Sequence, residues 1–212
     1  EHVLSSCKVS LGQGRYTWRH NRVLDLLASI LATAHGDNNT TERVTPEFRA
    51  EGGQKRWIGR TYEQQRAKRG LLSGSDDWNV SADLPDWDNH PDVVRESGLR
   101  PDIILHSESS KQIIMVELTV PYESRIEKAH AHKSEKYHDL AEELQRKGYK
   151  AQVFAVEIGA RGFVGTSAYQ LLSQLNISGR RRSKALRDLG ETAEKSSHWI
   201  WVRRNDLSIH KE

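Results

Sequence analysis

The 212-residue sequence has a single cysteine, Cys7, and no run of 18 or more apolar residues. One cysteine excludes an internal disulfide framework and suits a reducing compartment. Without a long apolar run no membrane-spanning helix is expected, and no basic segment leads into an apolar one at the N-terminus, so no secretory signal is expected either. We therefore expect a soluble protein without a membrane partner, long enough for one domain with a sizeable core.

An excess of one charge sign is also lacking, since 32 basic residues against 29 acidic residues leave a net charge of +3. The overall charge therefore does not indicate a partner. Local basic clusters are typical of a solvated surface, but several of them around one acidic site favour a polyanion such as DNA. These clusters contain Lys55, Arg56, Arg60, Lys68, Arg69, Arg180, Arg181, Arg182, Lys184, Arg203 and Arg204.

Apolar residues at helical spacing predict a first helix over residues 19–34, ending near Gly36. His20 lies on the apolar stripe of that helix; an interior histidine is the commoner explanation, and a site residue is the weaker one.

Residues 37–98 hold three of the five prolines and are predicted to form a long insertion. Within it we expect a short helix over 62–72 and a small strand or docked loop with Val44, Trp57 and Ile58. The Pro-Asp pair of His90-Pro91-Asp92 is not followed by an alternating strand and is therefore set aside.

Two charged residues interrupt the apolar segments that follow the insertion. Residues 101–107 and 112–120 alternate as two short strands, expected to be antiparallel, and they carry Asp102 and Glu117. The second strand is apolar on both faces around Glu117, which predicts a central strand covered on both sides. A carboxylate in that position is costly unless a cation or hydrogen-bond donors satisfy it.

A third charged residue is expected inside the next helix, predicted over residues 123–147. Its apolar stripe contains Ile126, Tyr137, Leu140 and Leu144, and a spacing of about 100° per residue puts Lys133 in the middle of that stripe. Lys136 falls at the edge of the stripe, whereas Lys128 and Lys147 are expected at the surface. A lysine that faces the core must reach solvent or carboxylates, and the two strand acids are the nearest candidates.

The rest of the sequence completes an α/β order. We expect a strand over 151–159, a tight loop over 159–163, helices over 167–175 and 183–197, and a strand or helix end over 198–202. Helices that alternate with strands in this way predict a mixed β-sheet core flanked by helices, with the long insertion 37–98 after the first helix.

Two carboxylates at the ends of adjacent strands can hold a divalent ion that prefers oxygen ligands, such as Mg²⁺ or Mn²⁺. Such an ion lowers the pKa of a bound water, and a nearby lysine can orient that water or stabilise a pentavalent phosphorane. The alternative is a buried Asp/Glu/Lys network that only sets strand register. Three ionisable groups converging in a core favour a functional site over that alternative.

The pattern of Pro101-Asp102, fourteen residues, Glu117, and a lysine on the following helix resembles the PD-(D/E)xK nuclease superfamily. More narrowly, it resembles the restriction-enzyme-like endonuclease domain of early-branching, site-specific non-LTR retrotransposons. In the wider superfamily a lysine stands two residues after the second acid, where this chain has Thr119; in the retrotransposon branch it lies on the next helix. The segments that carry the resemblance are RYTWRHNRVL, LRPDIILHS, VELTVPYE, AHAHKSEKY, VEIGARGFVGTS and SSHWIWVRR.

The resemblance implies a restriction-endonuclease-like fold over residues 19–212 and a Mg²⁺-dependent enzyme that nicks chromosomal DNA, so that the exposed 3′-OH primes reverse transcription. It implies double-stranded DNA as partner, with element RNA and a reverse transcriptase in a parent polyprotein. The protein would be synthesised in the cytoplasm and act in the nucleus. The family also carries a zinc knuckle before the nuclease, so residues 1–18, with His2 and Cys7, resemble its last part. Zn²⁺ is expected only if an upstream half of the knuckle exists.

On this resemblance Asp102 and Glu117 are expected to ligate Mg²⁺ together with the backbone carbonyl of Leu118. Lys133 would position the attacking water, and Lys136 and Tyr137 would contact the scissile phosphate or its neighbours. The choice of catalytic lysine between Lys133 and Lys136 stays open. Two alternatives also stay open: a structure-specific, resolvase-like nuclease, and a catalytically inactive nuclease fold that binds DNA.

Overall fold

A computed structural model of the chain describes residues 1–38, 47–51, 54–58 and 70–206. The helices in these ranges are α1 (His2–Ser5), α2 (Lys8–Gly12), α3 (Arg15–Asn38), α4 (Asp92–Arg95), α5 (Ile126–Lys136), α6 (His138–Arg146), α7 (Thr166–Gln174) and α8 (Gly179–Val202). The strands are β1 (Glu47–Glu51), β2 (Gln54–Ile58), β3 (Asn79–Ala82), β4 (Ile103–Ser107), β5 (Gln112–Thr119) and β6 (Lys150–Glu157).

The central sheet has four strands in the order β3-β4-β5-β6. Strands β3, β4 and β5 pair antiparallel, and β5 and β6 pair parallel. The parallel pair is possible because α5 and α6 carry the chain back across the sheet between β5 and β6, as a parallel connection requires. A mixed sheet flanked by helices confirms the predicted α/β class. Among the described residues no helix is both long and apolar enough to cross a bilayer.

Strand β5 is covered on both faces, as its sequence predicts. One face, with Ile114, Val116 and Leu118, belongs to the larger core that α3, α7 and α8 complete. The other face, with Ile113 and Met115, packs with Tyr137, Leu140 and Leu144 around α6. Complete burial of each such side chain contributes about 1.5–3 kcal/mol. Both faces of β5 are therefore buried in packed cores.

The single helix predicted over 123–147 is wrong, because the segment forms a 3₁₀ turn, Glu123–Arg125, followed by two helices. Tyr137 separates α5 from α6, with φ −104° and ψ 6°. Its ring is fully buried, and its hydroxyl donates a hydrogen bond of 3.0 Å to the carbonyl of Arg100. This anchor lies 37 residues away along the chain, and the segment contains no proline or glycine that would signal a break.

The predicted insertion 37–98 is too long, because its residues Asn79–Ala82 form β3 and pair with β4 at the edge of the central sheet. Four residues are too few for periodicity to separate a strand from a loop.

Trp57 and Ile58 lie in β2, which forms a hairpin with β1. Val44 and most of the helix predicted over 62–72 lie outside the described residues. No strand follows His90-Pro91-Asp92, as expected, and His90 bonds Ser81 and the Pro101 carbonyl.

The two long helices exceed their predicted limits and pack on each other. Helix α3 starts at Arg15, before the predicted residue 19, so the boundary expected at residue 18 falls inside a helix. Helix α8 includes residues 198–202, which settles that segment as a helix end. Trp18 of α3 and Trp199 of α8 stack with ring centroids 4.5 Å apart. The N-terminal segment is therefore continuous with the rest of the fold.

Gly190→Ala is expected to lower the free energy of unfolding by about 1–3 kcal/mol, the usual cost of overpacking. A Cβ at Gly190 of α8 would lie 2.6 Å from the carbonyl oxygen of Gly162, which belongs to the loop after β6. Backbone atoms cannot swing aside, and the gain in helix propensity of up to about 1 kcal/mol is smaller. Urea unfolding measures the change. Gly12→Ala is the control, because a Cβ at Gly12 would have no neighbouring atom within 4 Å; an equal loss of stability there would contradict the packing explanation.

Candidate functional site

Asp102 and Glu117 meet at one end of the sheet. Ile103 pairs with Val116, so Asp102, immediately before β4, lies across from Glu117 of β5. The backbone N–H of Leu118 donates a hydrogen bond of 2.7 Å to Asp102 Oδ2. The Asp102 side chain is 15% exposed and that of Glu117 is 1% exposed. The two carboxylates therefore lie side by side, one at the solvent boundary and one in the interior.

Of the two candidate lysines, Lys133 is the one that reaches this acid pair. Helix α5 packs against β5 and β6, and Lys133 Nζ donates a hydrogen bond of 2.6 Å to Glu117 Oε2. The Lys133 side chain is 24% exposed, so it is partly open to solvent while it bonds Glu117. Lys136 is exposed, and its Nζ lies 2.8 Å from the hydroxyl of Tyr137. The geometry assigns the contact with the acids to Lys133.

Tyr137 lies beneath this site, and its hydroxyl interacts with the Glu117 carboxylate. Its hydroxyl accepts from Lys136 and donates to the Arg100 carbonyl, and its ring is fully buried. Burial raises the pKa of the Tyr137 hydroxyl well above its ordinary value, and the charge of Glu117 adds to the effect. Tyr137 therefore stays a neutral donor that holds the end of α5. The phosphate contact expected of Tyr137 stays a prediction.

His20 enters the site from α3. Its Nε2 lies 3.4 Å from Asp102 Oδ2 and 3.2 Å from the Leu118 carbonyl oxygen, and its Nδ1 lies 3.2 Å from the side-chain oxygen of Asn21. Burial opposes the charged ring, but the bond to Asp102 outweighs it, and the pKa of His20 is raised. The histidine that the sequence marked as a weak candidate thus touches two of the oxygen groups expected to bind metal.

The two carboxylates have pKa values shifted in opposite directions. Burial raises the pKa of Glu117, and the neighbouring charge of Asp102 raises it further, while the Lys133 bond offsets part of the shift. Burial also acts on Asp102, but His20, the charge of Lys133 and the Leu118 N–H together lower its pKa below the ordinary value. Asp102 is thus the readily ionised member of the pair, and Glu117 is the member whose charge is costly.

The oxygens of this site fit a hard divalent ion. Glu117 Oε1 is buried and, among the described residues, has no hydrogen-bond partner; an unpartnered buried carboxylate oxygen is costly and a cation would satisfy it. Asp102 and the Leu118 carbonyl supply further oxygen ligands of the kind that Mg²⁺ and Mn²⁺ prefer. No group of three or more His, Cys, Asp or Glu side chains within the described ranges is arranged to hold a metal. Mg²⁺ needs no such group, because it commonly takes one or two carboxylates and keeps waters.

His2 is the first residue of α1 and Cys7 immediately precedes α2, and they form no such group with other described residues. The backbone N–H of Cys7 donates to the Tyr16 hydroxyl at 3.0 Å, which ties this segment to α3. Two ligands cannot close a tetrahedral zinc site, so a zinc site here stays a prediction that depends on further ligands.

Of the predicted basic clusters, the structure describes the side chains near the two ends of α8. Arg180, Arg181 and Lys184 are exposed at its start, as are Arg203 and Arg204 just beyond its end. Arg204 stacks on Trp201, with the guanidinium carbon 4.2 Å from the ring centroid. The side chains of Lys55, Arg56, Arg60, Lys68 and Arg69 lie outside the described part of the chain.

A second buried acid next to the site was not found from the sequence. Glu157 of β6 pairs with Thr119 of β5 and is 3% exposed. Its Oε1 lies 2.9 Å from His130 Nδ1, and its Oε2 accepts a hydrogen bond of 2.6 Å from Ser167. The sequence carries one signal for it, since Val156-Glu157-Ile158 repeats the pattern of Val116-Glu117-Leu118 in the neighbouring strand.

The site thus combines two strand carboxylates, a helix lysine bonded to the inner carboxylate, and a histidine on the outer one. No protein-family model matches the chain, and no curated protein matches its sequence.

Proposed function

We propose that this chain is a metal-dependent endodeoxyribonuclease with a restriction-endonuclease-like fold, which nicks double-stranded DNA at the Asp102–Glu117 site. The observation that carries the proposal is the bond from Lys133, on a separate helix, to the buried Glu117, whose other carboxylate oxygen has no partner among the described residues. Strand register alone does not require a buried carboxylate oxygen without a partner, which is costly. Perturbed, converging ionisable groups of this kind are typical of functional sites.

In the proposed mechanism Asp102, Glu117 and the Leu118 carbonyl would hold Mg²⁺ or Mn²⁺. The ion supplies a more acidic bound water and neutralises charge that develops on the phosphodiester. Lys133, held by Glu117, donates a hydrogen bond to the attacking water and orients it toward phosphorus. Lys136, exposed on the same helix, neutralises a neighbouring phosphate, and Tyr137 holds Lys136 from below. His20 orients the Asp102 carboxylate.

More specifically, we propose that the chain is the endonuclease of a site-specific non-LTR retrotransposon. It would act in the nucleus, where the nicked strand primes reverse transcription. What supports it is that the resembling segments contact one another. Arg19, from RYTWRHNRVL, donates to the Val120 carbonyl of VELTVPYE and to Ser197 of SSHWIWVRR. Arg161, from VEIGARGFVGTS, bonds Glu123 of VELTVPYE. Element RNA and a reverse transcriptase are the further partners of this proposal.

Incubation with supercoiled plasmid tests the proposed activity. We expect nicked circles with Mg²⁺, none with EDTA, and none with Asp102→Ala in Mg²⁺, because this substitution removes both the outer metal ligand and the acceptor of the Leu118 N–H. Nicking by Asp102→Ala at the parent rate would contradict the assignment. Faster cutting of branched than of linear duplexes would instead support the resolvase-like alternative.

A catalytically inactive DNA-binding module is the second candidate, and the position of His20 favours it. Its Nε2 already contacts Asp102 and the Leu118 carbonyl, so both oxygens have a partner without a metal. Titration calorimetry with Mg²⁺ separates the candidates. Heat that disappears in Asp102→Ala supports the nuclease, whereas no heat in the parent supports the inactive module.

Lys136→Ala is expected to weaken DNA binding more than it slows the nicking step. Lys136 is exposed and does not bond either acid, so its proposed contact is a phosphate. Removal of one cation that binds a phosphate reduces the slope of log K against log salt by about 1. Fluorescence anisotropy of labelled duplex over a salt series measures that slope. Lys128→Ala, also exposed on α5, is the control; an identical slope for parent and Lys136→Ala would refute the contact.

A further inference from the structure

Glu157, His130 and Ser167 form a hydrogen-bonded chain beside the site that the proposed mechanism leaves unused. Ser167, in the first turn of α7, donates to Glu157 Oε2 at 2.6 Å, and Glu157 Oε1 lies 2.9 Å from His130 Nδ1. The Glu157 side chain is 4% exposed, whereas that of His130 is 50% exposed. The chain therefore runs from the interior to an imidazole at the surface.

The contact with Glu157 decides which ring nitrogen of His130 faces a ligand. With Nδ1–H donating to the carboxylate, Nε2 is the nitrogen left for another partner. Because Ser167 holds the second carboxylate oxygen, Glu157 cannot easily rotate away from the histidine. A carboxylate that orients an imidazole in this way is the arrangement by which enzymes prepare a histidine for proton transfer.

His130 lies one helical turn before Lys133 on the same face of α5. The partners of these two residues, Glu157 and Glu117, are diagonal neighbours on adjacent strands, since Thr119 pairs with Glu157 and Glu117 pairs with Ala155. Strand spacing and rise place those two acids about 8 Å apart between Cα atoms. The rise between His130 and Lys133 is about 4.5 Å along the helix. The two basic groups thus lie over one short stretch of the sheet end.

In-line displacement at phosphorus needs separate help for two oxygens, one attacking and one leaving, on opposite sides of the phosphate. Lys133 is bonded to Glu117, which is expected to bind metal, and so belongs with the attacking water. His130, one turn away, is bonded to Glu157, which is not among the residues expected to bind metal. Two side chains one turn apart on one helix can serve the two sides of a single phosphate.

We propose that His130 is the general acid that protonates the departing 3′ oxygen, with Glu157 and Ser167 as its positioning residues; this rests on the proposed function. The attacking water loses a proton to solvent and its oxygen forms the new bond to phosphorus. The bond from phosphorus to the 3′ oxygen breaks, and its electron pair stays on that oxygen, which takes the proton from Nε2 of the doubly protonated His130. After the nicked DNA leaves, the neutral imidazole regains a proton from solvent. The products are a 5′-phosphate and a 3′-hydroxyl.

A sulfur substitution in the substrate tests this role. A nick site is mapped on plasmid with the parent protein, and duplexes of that sequence are made with either the normal linkage or a bridging 3′-phosphorothiolate at the scissile bond. Thiols have a pKa of about 8.5, so the sulfur leaves as a thiolate and needs no proton. His130→Gln should cut the oxygen linkage at least about 100-fold more slowly than the parent, the usual contribution of a general acid. It should cut the sulfur linkage within about twofold of the parent.

Glu157→Gln should show the same pattern with a smaller loss, because the histidine remains but is oriented less well. His138→Gln is the matched control, since His138 is an exposed helix histidine with its own carboxylate partner, Glu142. It should cut both linkages at the parent rate. Circular dichroism and DNA affinity of each variant establish that it is folded and binds.

The outcomes separate the two proposals. If the parent does not nick plasmid, the proposed nuclease function and the role of His130 both fail. If the parent nicks and His130→Gln slows both linkages equally, or neither, the nuclease stands and the general-acid role is overturned. Selective loss on the oxygen linkage supports both.

Discussion

Lys133→Met is expected to slow the nicking of supercoiled DNA by at least about 100-fold, with DNA affinity within about threefold of the parent. Removal of one pre-organised group that acts on the reacting atoms typically costs 10²- to 10³-fold, about 2.7–4 kcal/mol of transition-state stabilisation. Methionine keeps the apolar stem that Lys133 lays along the sheet end and removes only the ammonium group that donates to Glu117 Oε2. The loss should therefore appear in the single-turnover rate at saturating DNA.

Lys128→Met is the matched control, because Lys128 is exposed on the same helix and is expected to leave the rate unchanged. Lys136→Met adds a second comparison, since Lys136 contacts the Tyr137 hydroxyl and no acid of the site. If Lys136→Met abolishes the single-turnover rate while Lys133→Met retains it, the catalytic lysine has been assigned to the wrong residue. Equal losses of the single-turnover rate at all three positions would indicate a general disturbance of α5 and not the loss of one catalytic group.

Glu117→Gln is expected to abolish nicking and, without metal, to stabilise the protein by about 1 kcal/mol near pH 8, within the usual range for a single stabilising change. Burial and the charge of Asp102 raise the pKa of Glu117 in the folded state. The folded protein therefore binds this proton more tightly than the unfolded chain does. That contribution to stability is fully present below the unfolded pKa and is lost as pH rises through the raised folded pKa. Glutamine does not ionise and avoids the loss.

Urea unfolding in EDTA at pH 4 and pH 8 measures this difference. The advantage of Glu117→Gln over the parent should be small at the lower pH and larger at the higher one. Addition of Mg²⁺ at pH 8 should then stabilise the parent alone, because only a state that binds a ligand gains from it. A parent that is more stable than Glu117→Gln at pH 8 in EDTA would show that the Lys133 bond outweighs the burial of Glu117.

Local patterns were sufficient to predict the centre of this site. Alternation along 101–107 and 112–120 predicts two strands with Asp102 and Glu117 at neighbouring positions, and their pairing places these residues across from each other. Helical spacing around Ile126 and Tyr137 predicts Lys133 on the inner face, where it bonds Glu117. These predictions need only the side-chain periodicity of one helix or strand and the direction in which the neighbouring strand runs. Both are encoded within a few consecutive residues.

Contacts between distant segments were decided by the tertiary structure alone. The break at Tyr137 depends on the Arg100 carbonyl, and the His20 contact with Asp102 joins residues 82 positions apart along the chain. The edge strand β3 is too short to show a side-chain periodicity, so only its pairing with β4 identifies it as a strand.

Periodicity along the chain was enough to predict the α/β order, the central strand, and the grouping of Asp102, Glu117 and Lys133. The chain of Ser167, Glu157 and His130 required three elements to pack together, and no period within any one of them relates a strand acid to a helix histidine. The physical reason is that periodicity reports which face of an element is buried, whereas a hydrogen bond between elements depends on their packing distance and register.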